Sequence, residues 1–246
     1  MRLDQAIALR FPEISRRKAR ALLSAHRILV NERPVSVASR EVESSDRIAI
    51  AGEVADLAIL RETDEWMAID KPSGLPVQPV RDRGRRSAEE LLRVQLKRGG
   101  HSPSLYLVHR LDTGTSGVVI FARDSAAAAR LSRLFSSREM RKVYLAVVEG
   151  ALEGEREITT PIDGRDARTV ARPISRADLG TLIEAEIHTG RTHQIRIHLA
   201  SIGHPVAGDR RYGATINAPR LMLHAWKLEH PEIGEIEAPV PSSFRA

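Results

Sequence analysis

Residues 109–118 read His-Arg-Leu-Asp-Thr-Gly-Thr-Ser-Gly-Val and carry a single carboxylate, that of Asp112. Apolar residues flank this polar stretch, at 105–108 and at 118–121, and each apolar run predicts a short strand. A loop between buried strands is a position where a rigid scaffold presents a reactive group. An Asp-x-Gly sequence is also ordinary turn chemistry, in which the carboxylate accepts a hydrogen bond from its own turn. The residues alone leave both interpretations of Asp112 open, a catalytic carboxylate and a turn residue.

The composition is that of a globular protein. Of the 246 residues, 42% are hydrophobic and 28% are charged, enough for one large domain or two smaller ones. No apolar run approaches the roughly 20 residues of a membrane span, and the start of the chain lacks the pattern of a signal peptide. The absence of cysteine excludes disulfides and disfavours a structural zinc site. We therefore expect a cytoplasmic protein. We also expect it to be monomeric.

Basic residues outnumber acidic ones and are clustered. The net charge is +6, and arginines crowd residues 16–20 and residues 81–86. Residues 1–52 alone hold ten Lys or Arg against six Asp or Glu, a net charge of +4. Arginine binds phosphate with two hydrogen bonds and stacks on bases, so this clustering favours a nucleic acid partner. A solvated basic surface is the ordinary alternative.

Residues 1–52 are predicted to form a small α/β domain, followed by a linker at 52–58. Ser15 is a typical N-cap for a helix over 16–25, and short strands are predicted at 28–30 and 47–50. The elements and their residues resemble the RNA-binding module named after ribosomal protein S4; the matching positions are Ser15, Arg16, Ala19, Val30, Asn31, Asp46, Arg47 and Ile48. Arginines near a helix N-terminus are suited to a phosphate backbone, which predicts RNA contacts at Arg16, Arg17 and Arg20.

A helix is predicted over the second informative stretch, residues 189–203. Thr192 is a good N-cap, apolar residues recur at 195, 199 and 202, and Gly203 fits the position after the last turn. Arg196 then lies one helical turn from His193. A metal site at His193 and His198 is excluded, because five residues separate their side chains by about 140° around a helix.

The motif His-Arg-Leu-Asp-x-x-Thr-Ser-Gly at 109–117 resembles the catalytic motif of the RluA-type pseudouridine synthases. Four further segments resemble motifs of the same family, so that the resemblance spans essentially the whole chain. They are Lys-Pro-x-Gly-Leu-Pro-Val at 71–77, Lys-x-Tyr-x-Ala-x-Val-x-Gly at 142–150, Gly-Arg-Thr-His-Gln-Ile-Arg-x-His at 190–198 with Gly-Asp-x-x-Tyr-Gly at 208–213, and Arg-Leu-Met-Leu-His-Ala-Trp-Lys-Leu at 220–228. Residues 161–182 match the family poorly.

The resemblance assigns roles to individual residues. It implies that Asp112 is the catalytic carboxylate, that Arg196 pairs with it, and that Tyr144 lies against the target uracil. From the residues alone, a core tyrosine is the ordinary interpretation of Tyr144. Leu223 is expected to line the substrate pocket. Further RNA contacts are predicted at Lys71, His109, Arg110, Arg191 and His193.

The same resemblance implies an α+β fold, in which residues 58–246 form a mainly antiparallel mixed sheet with flanking helices. The expected reaction is isomerisation of uridine in RNA to pseudouridine, with neither metal nor cofactor. Ribosomal RNA is the favoured substrate, and transfer RNA is the alternative. The carboxylate could attack the ribose, add to the uracil or remove a ribose proton.

Two other classes of protein compete with this reading. A non-catalytic RNA-binding protein of the same fold should show erosion at Asp112, Tyr144 or Arg196, and all three are present. A carboxylate-dependent hydrolase such as a glycosidase usually needs two acids at its site, and the next acid along the chain after Asp112 is Asp124.

Overall fold

A computed structural model describes residues 1–12, 14–24, 28–31, 33–43, 46–50, 56–80, 86–137 and 139–244. The contacts divide the chain into two compact units. The first unit contains Met1–Asp56 and Gln78–Leu91, and the second contains Leu57–Val77 and Leu92–Ala246. The predicted linker residues 52–55, and Arg81, Arg83 and Arg85 of the second basic cluster, lie outside the described residues.

The first unit begins with two helices, α1 (Leu3–Arg10) and α2 (Arg16–Ser24). Ser15 is the N-cap of α2, because its Oγ accepts a hydrogen bond from the Lys18 N–H at 3.2 Å. The apolar stripe of α2 is buried, while the side chains of Arg16, Arg17 and Arg20 are exposed. The predicted last residue of this helix, Ala25, lies outside the described part of the chain.

Three short strands complete this unit: β1 (Ile28–Val30), β2 (Arg33–Val35) and β3 (Ile48–Ile50). They form an antiparallel sheet in the order β2-β1-β3. Asn31 follows the last residue of β1 and has a left-handed backbone, with a φ of 52°. Its side chain accepts from the Arg47 N–H at 2.9 Å and donates to Asp46 at 2.6 Å, which ties the two turns of the sheet together.

The second unit is built on one large sheet. Its strands are β4 (Ala58–Glu62), β5 (Trp66–Lys71), β6 (Tyr106–Leu107), β7 (Ser116–Ala122), β8 (Arg141–Val148), β9 (Arg156–Ile158), β10 (Thr169–Ala177), β11 (Gly180–Ile187), β12 (Leu223–His230) and β13 (Gly234–Glu237). The helices are α3 (Ala88–Arg98), which begins in the first unit, α4 (Ser125–Ser136) and α5 (Gln194–Ser201), with 3-10 turns at Arg210–Tyr212 and Ser242–Phe244.

The main path of the sheet runs β4-β5-β7-β12-β8-β11-β10-β9, with β6 on β7 and β13 on β12. Among the described strands, every pair is antiparallel except β7 with β12. This confirms the predicted α+β class with a mainly antiparallel mixed sheet. The poorly matching residues 161–182 contribute β10 and the start of β11.

The parallel pair brings two of the predicted site segments together at the centre of the sheet. Ser116 lies opposite His224, and Gly117 lies opposite Ala225. Gly117 has a φ of +111°, and a Cβ there would lie 2.1 Å from the Ala225 carbonyl oxygen. Only glycine allows this approach, which sets the loop before β7 beside Leu223 at the start of β12.

Capping contacts fix one end of α3 and one end of α5. Ser87 and Glu90 form a capping box at α3, with the Ser87 N–H donating to the carboxylate at 2.8 Å and the Glu90 N–H donating to the Ser87 hydroxyl at 3.2 Å. At the end of α5, the N–H groups of Gly203 and His204 donate to Ala200 and Leu199, which confirms the predicted glycine terminus. No helix in the described part of the chain is long and apolar enough to cross a bilayer.

Candidate active site

The loop that carries Asp112 lies between β6 and β7 and is fixed by backbone contacts. The Asp112 carbonyl oxygen accepts from the Thr115 N–H at 3.0 Å, and Thr113 accepts from the Gly74 N–H at 2.8 Å. The Ser73 hydroxyl donates to the Gly114 carbonyl at 2.6 Å. The turn is therefore closed by the backbone carbonyl of Asp112. The side-chain carboxylate of Asp112 accepts a hydrogen bond from Arg196 instead.

Lys71 anchors this loop from inside the protein, which corrects the predicted RNA contact. Its side chain is fully buried, with 0% exposure. The ammonium donates to the carbonyl oxygens of Pro72 at 2.9 Å, Leu75 at 2.7 Å and Thr113 at 3.4 Å. A buried ammonium that serves backbone carbonyls is not available to a phosphate, so Lys71 joins the 72–77 loop to the Asp112 loop instead.

Replacing Lys71 should therefore lower the stability of the protein and leave the salt dependence of RNA binding unchanged. Lys71→Met leaves buried carbonyl groups without a donor and should lower the free energy of unfolding by about 1–3 kcal/mol. Urea unfolding and RNA titrations over a range of salt measure the two effects. Lys97→Met, at an exposed position of α3, is the control and should stay within about 0.5 kcal/mol of wild type. A shallower salt dependence at unchanged stability would contradict this role.

Arg196, in the first turn of α5, joins two carboxylates. Its Nη1 donates to Asp112 Oδ2 at 2.9 Å, while Nε and Nη2 donate to the two oxygens of Asp209 at 2.5 and 2.8 Å. The side chain of Arg196 is 11% exposed and that of Asp209 only 2%. Burial alone would lower the pKa of the Arg196 guanidinium, but the hydrogen bonds to Asp209 and Asp112 raise it above its usual value. The guanidinium therefore stays charged and fixes the position of Asp112 Oδ2.

The α5 N-terminus differs from the prediction. The N-cap is His193, not Thr192, and His193 has a left-handed backbone with φ 56° and ψ 22°. Its Nδ1 lies 2.8 Å from the Tyr212 hydroxyl and its Nε2 lies 3.6 Å from Asp112 Oδ1. Burial lowers the pKa of His193, Asp112 opposes this shift, and Arg196 adds to it. The imidazole is therefore neutral near pH 7.

Seven of the predicted site residues line one cavity of about 100 Å³ beside the Asp112 loop. They are Arg110, Asp112, Tyr144, Arg191, His193, Arg196 and Leu223. Burial and the nearby Asp112 charge raise the pKa of the Tyr144 hydroxyl, so this ring stays neutral. The cavity thus combines an aromatic ring and an apolar side chain with a carboxylate whose Oδ2 accepts the hydrogen bond from Arg196.

His109 lies outside the cavity, and the two arginines that line it, Arg110 and Arg191, differ in their contacts. The His109 ring stacks on Phe135, with centroids 4.1 Å apart, and its Nε2 accepts from the Ile120 N–H at 3.0 Å. Burial lowers the pKa of His109 to about 3, so the imidazole is neutral. His109 fixes the start of the loop through these internal contacts, which corrects its predicted role as an RNA contact. Arg110 is exposed, and Arg191 donates through Nε to the Asp166 carbonyl at 2.9 Å.

His198, in contrast, belongs to the interior. Its Nδ1 lies 2.9 Å from Thr169 Oγ1 and its Nε2 lies 2.9 Å from the Thr160 carbonyl oxygen. The buried imidazole joins α5 to β10 and to the segment before it. The two histidines of the 190–198 motif thus have different roles, since only His193 faces the cavity.

Asp209 and Tyr212, for which the residues alone predicted no role, complete the site. Although Asp124 is the next acid after Asp112 along the chain, the fold places Asp209 closer to the site, on the same arginine as Asp112. It is engaged bidentately and almost fully buried, so it is not a second free acid. The Tyr212 ring lies under the Arg196 guanidinium, whose Cζ is 4.9 Å from the centroid of the ring. Both residues belong to the Gly-Asp-x-x-Tyr-Gly motif at 208–213, the signal that could have revealed them.

Comparison with protein families gives two matches along the chain. The family described as "RNA pseudouridylate synthase" matches residues 65–201, which include the Asp112 loop and Arg196. The "S4 domain" matches residues 1–48.

Individual relatives extend these matches. A Nitrosomonas europaea protein named "Ribosomal large subunit pseudouridine synthase D" is 33% identical over 285 aligned residues, covering 100% of this chain and 83% of that protein. The Bacillus subtilis "Uncharacterized RNA pseudouridine synthase YhcT" is 32% identical over 83% of this chain and 76% of its own length. The solved structure titled "Human RNA Pseudouridylate Synthase Domain Containing 1" superposes with a TM-score of 0.64 at 26% identity, covering 79% of this chain and 86% of that one.

Proposed function

This chain belongs to the RNA pseudouridine synthase family and is therefore an isomerase; we propose that its substrate is ribosomal RNA and that Asp112 is its catalytic carboxylate. The observation that carries the proposal is the contact of Asp112 Oδ2 with Arg196 at 2.9 Å, at the edge of a cavity that also holds Tyr144.

The chemistry of the reaction agrees with this arrangement. Isomerisation breaks the bond between the ribose and N1 of uracil and forms a bond from the ribose to C5, while C5 loses its proton and N1 gains one. Arg196 holds the carboxylate through one oxygen, so the other oxygen remains for the substrate. Charged groups fixed before the substrate arrives need no reorganisation during the reaction.

The target base must leave its stack to reach the cavity, at a cost of a few kcal/mol. The half-buried ring of Tyr144 offers the extruded uracil a new stacking surface, and Leu223 offers an apolar contact. Arg110 is exposed at the same cavity, and we assign it to the space that the base vacates or to the adjacent phosphate. Arg191 is the second proposed phosphate contact.

The choice of ribosomal RNA rests on the relatives. Proteins from Nitrosomonas europaea and Xanthomonas campestris that carry a large-subunit ribosomal name are each 33% identical over 99% or more of this chain. The test is chemical mapping of pseudouridine after incubation of the purified protein with a large-subunit ribosomal RNA transcript or with unmodified transfer RNAs. New pseudouridine in the ribosomal transcript is expected. Pseudouridine confined to transfer RNA would overturn the proposal that ribosomal RNA is the substrate. The absence of pseudouridine from both RNAs would contradict the proposed catalysis at Asp112.

The exposed arginines of α2 are proposed to bind RNA phosphates, which predicts their effect on salt dependence. Replacing Arg16, Arg17 and Arg20 together by Gln should reduce the slope of log affinity against log salt by about 2, since each phosphate contact on a single strand contributes about 0.7. Filter binding at several salt concentrations measures the slope. Arg133→Gln with Arg176→Gln, two exposed arginines that do not line the cavity, is the control. An unchanged slope in the triple variant would show that α2 faces solvent in the complex.

A further inference from the structure

The backbone of His193 is strained at the point where it faces Asp112. Among the described residues, three non-glycine residues have a positive φ: Asn31, Asp163 and His193. Asn, Asp and His adopt this conformation more often than other non-glycine residues, yet it is uncommon even for them, because the left-handed region is sterically less favourable than the right-handed one. Strain of this kind persists where the surrounding structure requires it, and it is concentrated at functional sites. The strain at His193 brings its imidazole between Asp112 and Tyr212.

The two neighbours determine which ring nitrogen carries the proton. The imidazole is neutral, so one nitrogen donates and the other accepts. Asp112 is an acceptor only, and a lone pair on Nε2 facing its Oδ1 at 3.6 Å would be repelled. The proton therefore belongs on Nε2, and Nδ1 accepts a hydrogen bond from the Tyr212 hydroxyl at 2.8 Å.

We propose that Tyr212 and His193 form a positioning pair for the reacting oxygen of Asp112. The Tyr212 hydroxyl holds His193 in the tautomer with the proton on Nε2, and this N–H orients Oδ1 toward the substrate. Arg196 already holds Oδ2 at 2.9 Å, so Oδ1 is the oxygen that reacts. Because 3.6 Å is longer than a hydrogen bond, His193 guides Oδ1 without occupying it in the free enzyme. This inference rests on the proposed role of Asp112.

The charged surroundings of His193 are consistent with a neutral imidazole. Asp112 and Asp209 favour its charged form, whereas Arg196 and Arg211 disfavour it, and burial adds to the effect of the arginines. Arg196 and Arg211 also lie over the Tyr212 ring, at 4.9 and 5.6 Å from its centroid. The ring of Tyr212 is thus held by packing, and its hydroxyl is directed at His193.

Two substitutions of His193 separate a donor role from relief of strain. Gln places an N–H near the position of Nε2, whereas Asn places one near Nδ1. If the donor to Asp112 matters, His193→Gln should keep a kcat at least about 5-fold above that of His193→Asn, the factor of roughly one hydrogen bond. If only the left-handed backbone matters, the order reverses, because Asn tolerates this conformation better than Gln. Equal kcat values or the reverse order would overturn the proposal.

Tyr212→Phe tests the pair without disturbing the ring under Arg196. It should lower kcat by about 3- to 10-fold while KM stays within about 2-fold, since the hydroxyl acts on chemistry and not on RNA binding. Tyr106→Phe, at an exposed tyrosine outside the cavity, is the control and should leave kcat unchanged. A Tyr212→Phe enzyme with wild-type kcat would overturn the role of the hydroxyl.

The tautomer itself is measurable by NMR on the unmodified enzyme. Imidazole ¹⁵N shifts, with the His193 signals assigned by their loss in His193→Gln, should show the proton on Nε2. A proton on Nδ1 would overturn the proposal. Wild type and Asp112→Asn belong in the same kinetic series. An inactive wild type would be a failure of the proposed function, whereas an active wild type with the wrong order of His193 variants would be a failure of the positioning pair alone.

Discussion

Asp112→Asn is expected to abolish pseudouridine formation, with a loss of at least about 10⁴-fold in kcat, while the protein still binds RNA. The amide has nearly the shape of the carboxylate but lacks its charge and its reactive oxygen pair. The carboxylate is also 25% exposed, so the substitution should leave the core undisturbed. Product formation by chemical mapping and affinity by filter binding, measured on one RNA, separate the two effects.

Asp178→Asn is the matched control for this prediction. Asp178 is exposed in the turn between β10 and β11 and does not line the cavity. It should leave both rate and affinity at wild-type values. Appreciable turnover by Asp112→Asn, within about 100-fold of wild type, would contradict the assignment of Asp112, because a reacting group contributes more than that.

Arg196→Lys is expected to have the second largest effect, a loss of about 10²-fold or more in kcat. Lysine keeps the charge, but one ammonium does not reproduce three hydrogen bonds to two carboxylates in one plane. It also leaves the buried Asp209 carboxylate short of donors, which should lower the free energy of unfolding by about 1–3 kcal/mol.

Single-turnover kinetics on saturating RNA, together with urea unfolding, test both effects. Arg172→Lys is the control, because the ion pairs of Arg172 with Glu155, Glu184 and Glu186 lie on a side chain that is 40% exposed. Exposed pairs contribute only about 0–1 kcal/mol, so this control should be close to wild type. Activity of Arg196→Lys within a few-fold of wild type would show that its planar contact to Asp112 is dispensable.

Local patterns in the sequence were sufficient to predict the elements that carry the site. The apolar run at 118–121 predicted β7, and the spacing of Ile195, Leu199 and Ile202 predicted α5. Gly203 marked its end correctly. These features depend on neighbours within a few residues, and the chain itself contains that information. The predicted N-cap at Thr192 was wrong because α5 begins in a strained residue, His193, that local propensity disfavours.

Contacts between distant segments could not be worked out from the residues themselves, and the Arg196–Asp112 pair was expected only from the family resemblance. A lysine before a Pro-Gly loop is ordinarily exposed, and only the fold shows that Lys71 is buried against three carbonyls. Asp209 follows Arg196 by 13 residues, yet the two form the most buried ion pair of the site. His109 is adjacent to Arg110, but one packs on Phe135 while the other is exposed. The backbone of this loop directs the two side chains to opposite sides, and the local sequence does not indicate which side is the cavity.

The most direct test of the central claim is a map of pseudouridine across total RNA from cells that lack this protein, compared with the same cells supplied with wild type or with Asp112→Asn. We predict that one or more ribosomal RNA positions lose pseudouridine without the protein and regain it with wild type, but not with Asp112→Asn at equal protein levels. A map that is identical in all three cell lines, or one restored equally by both proteins, would contradict the account.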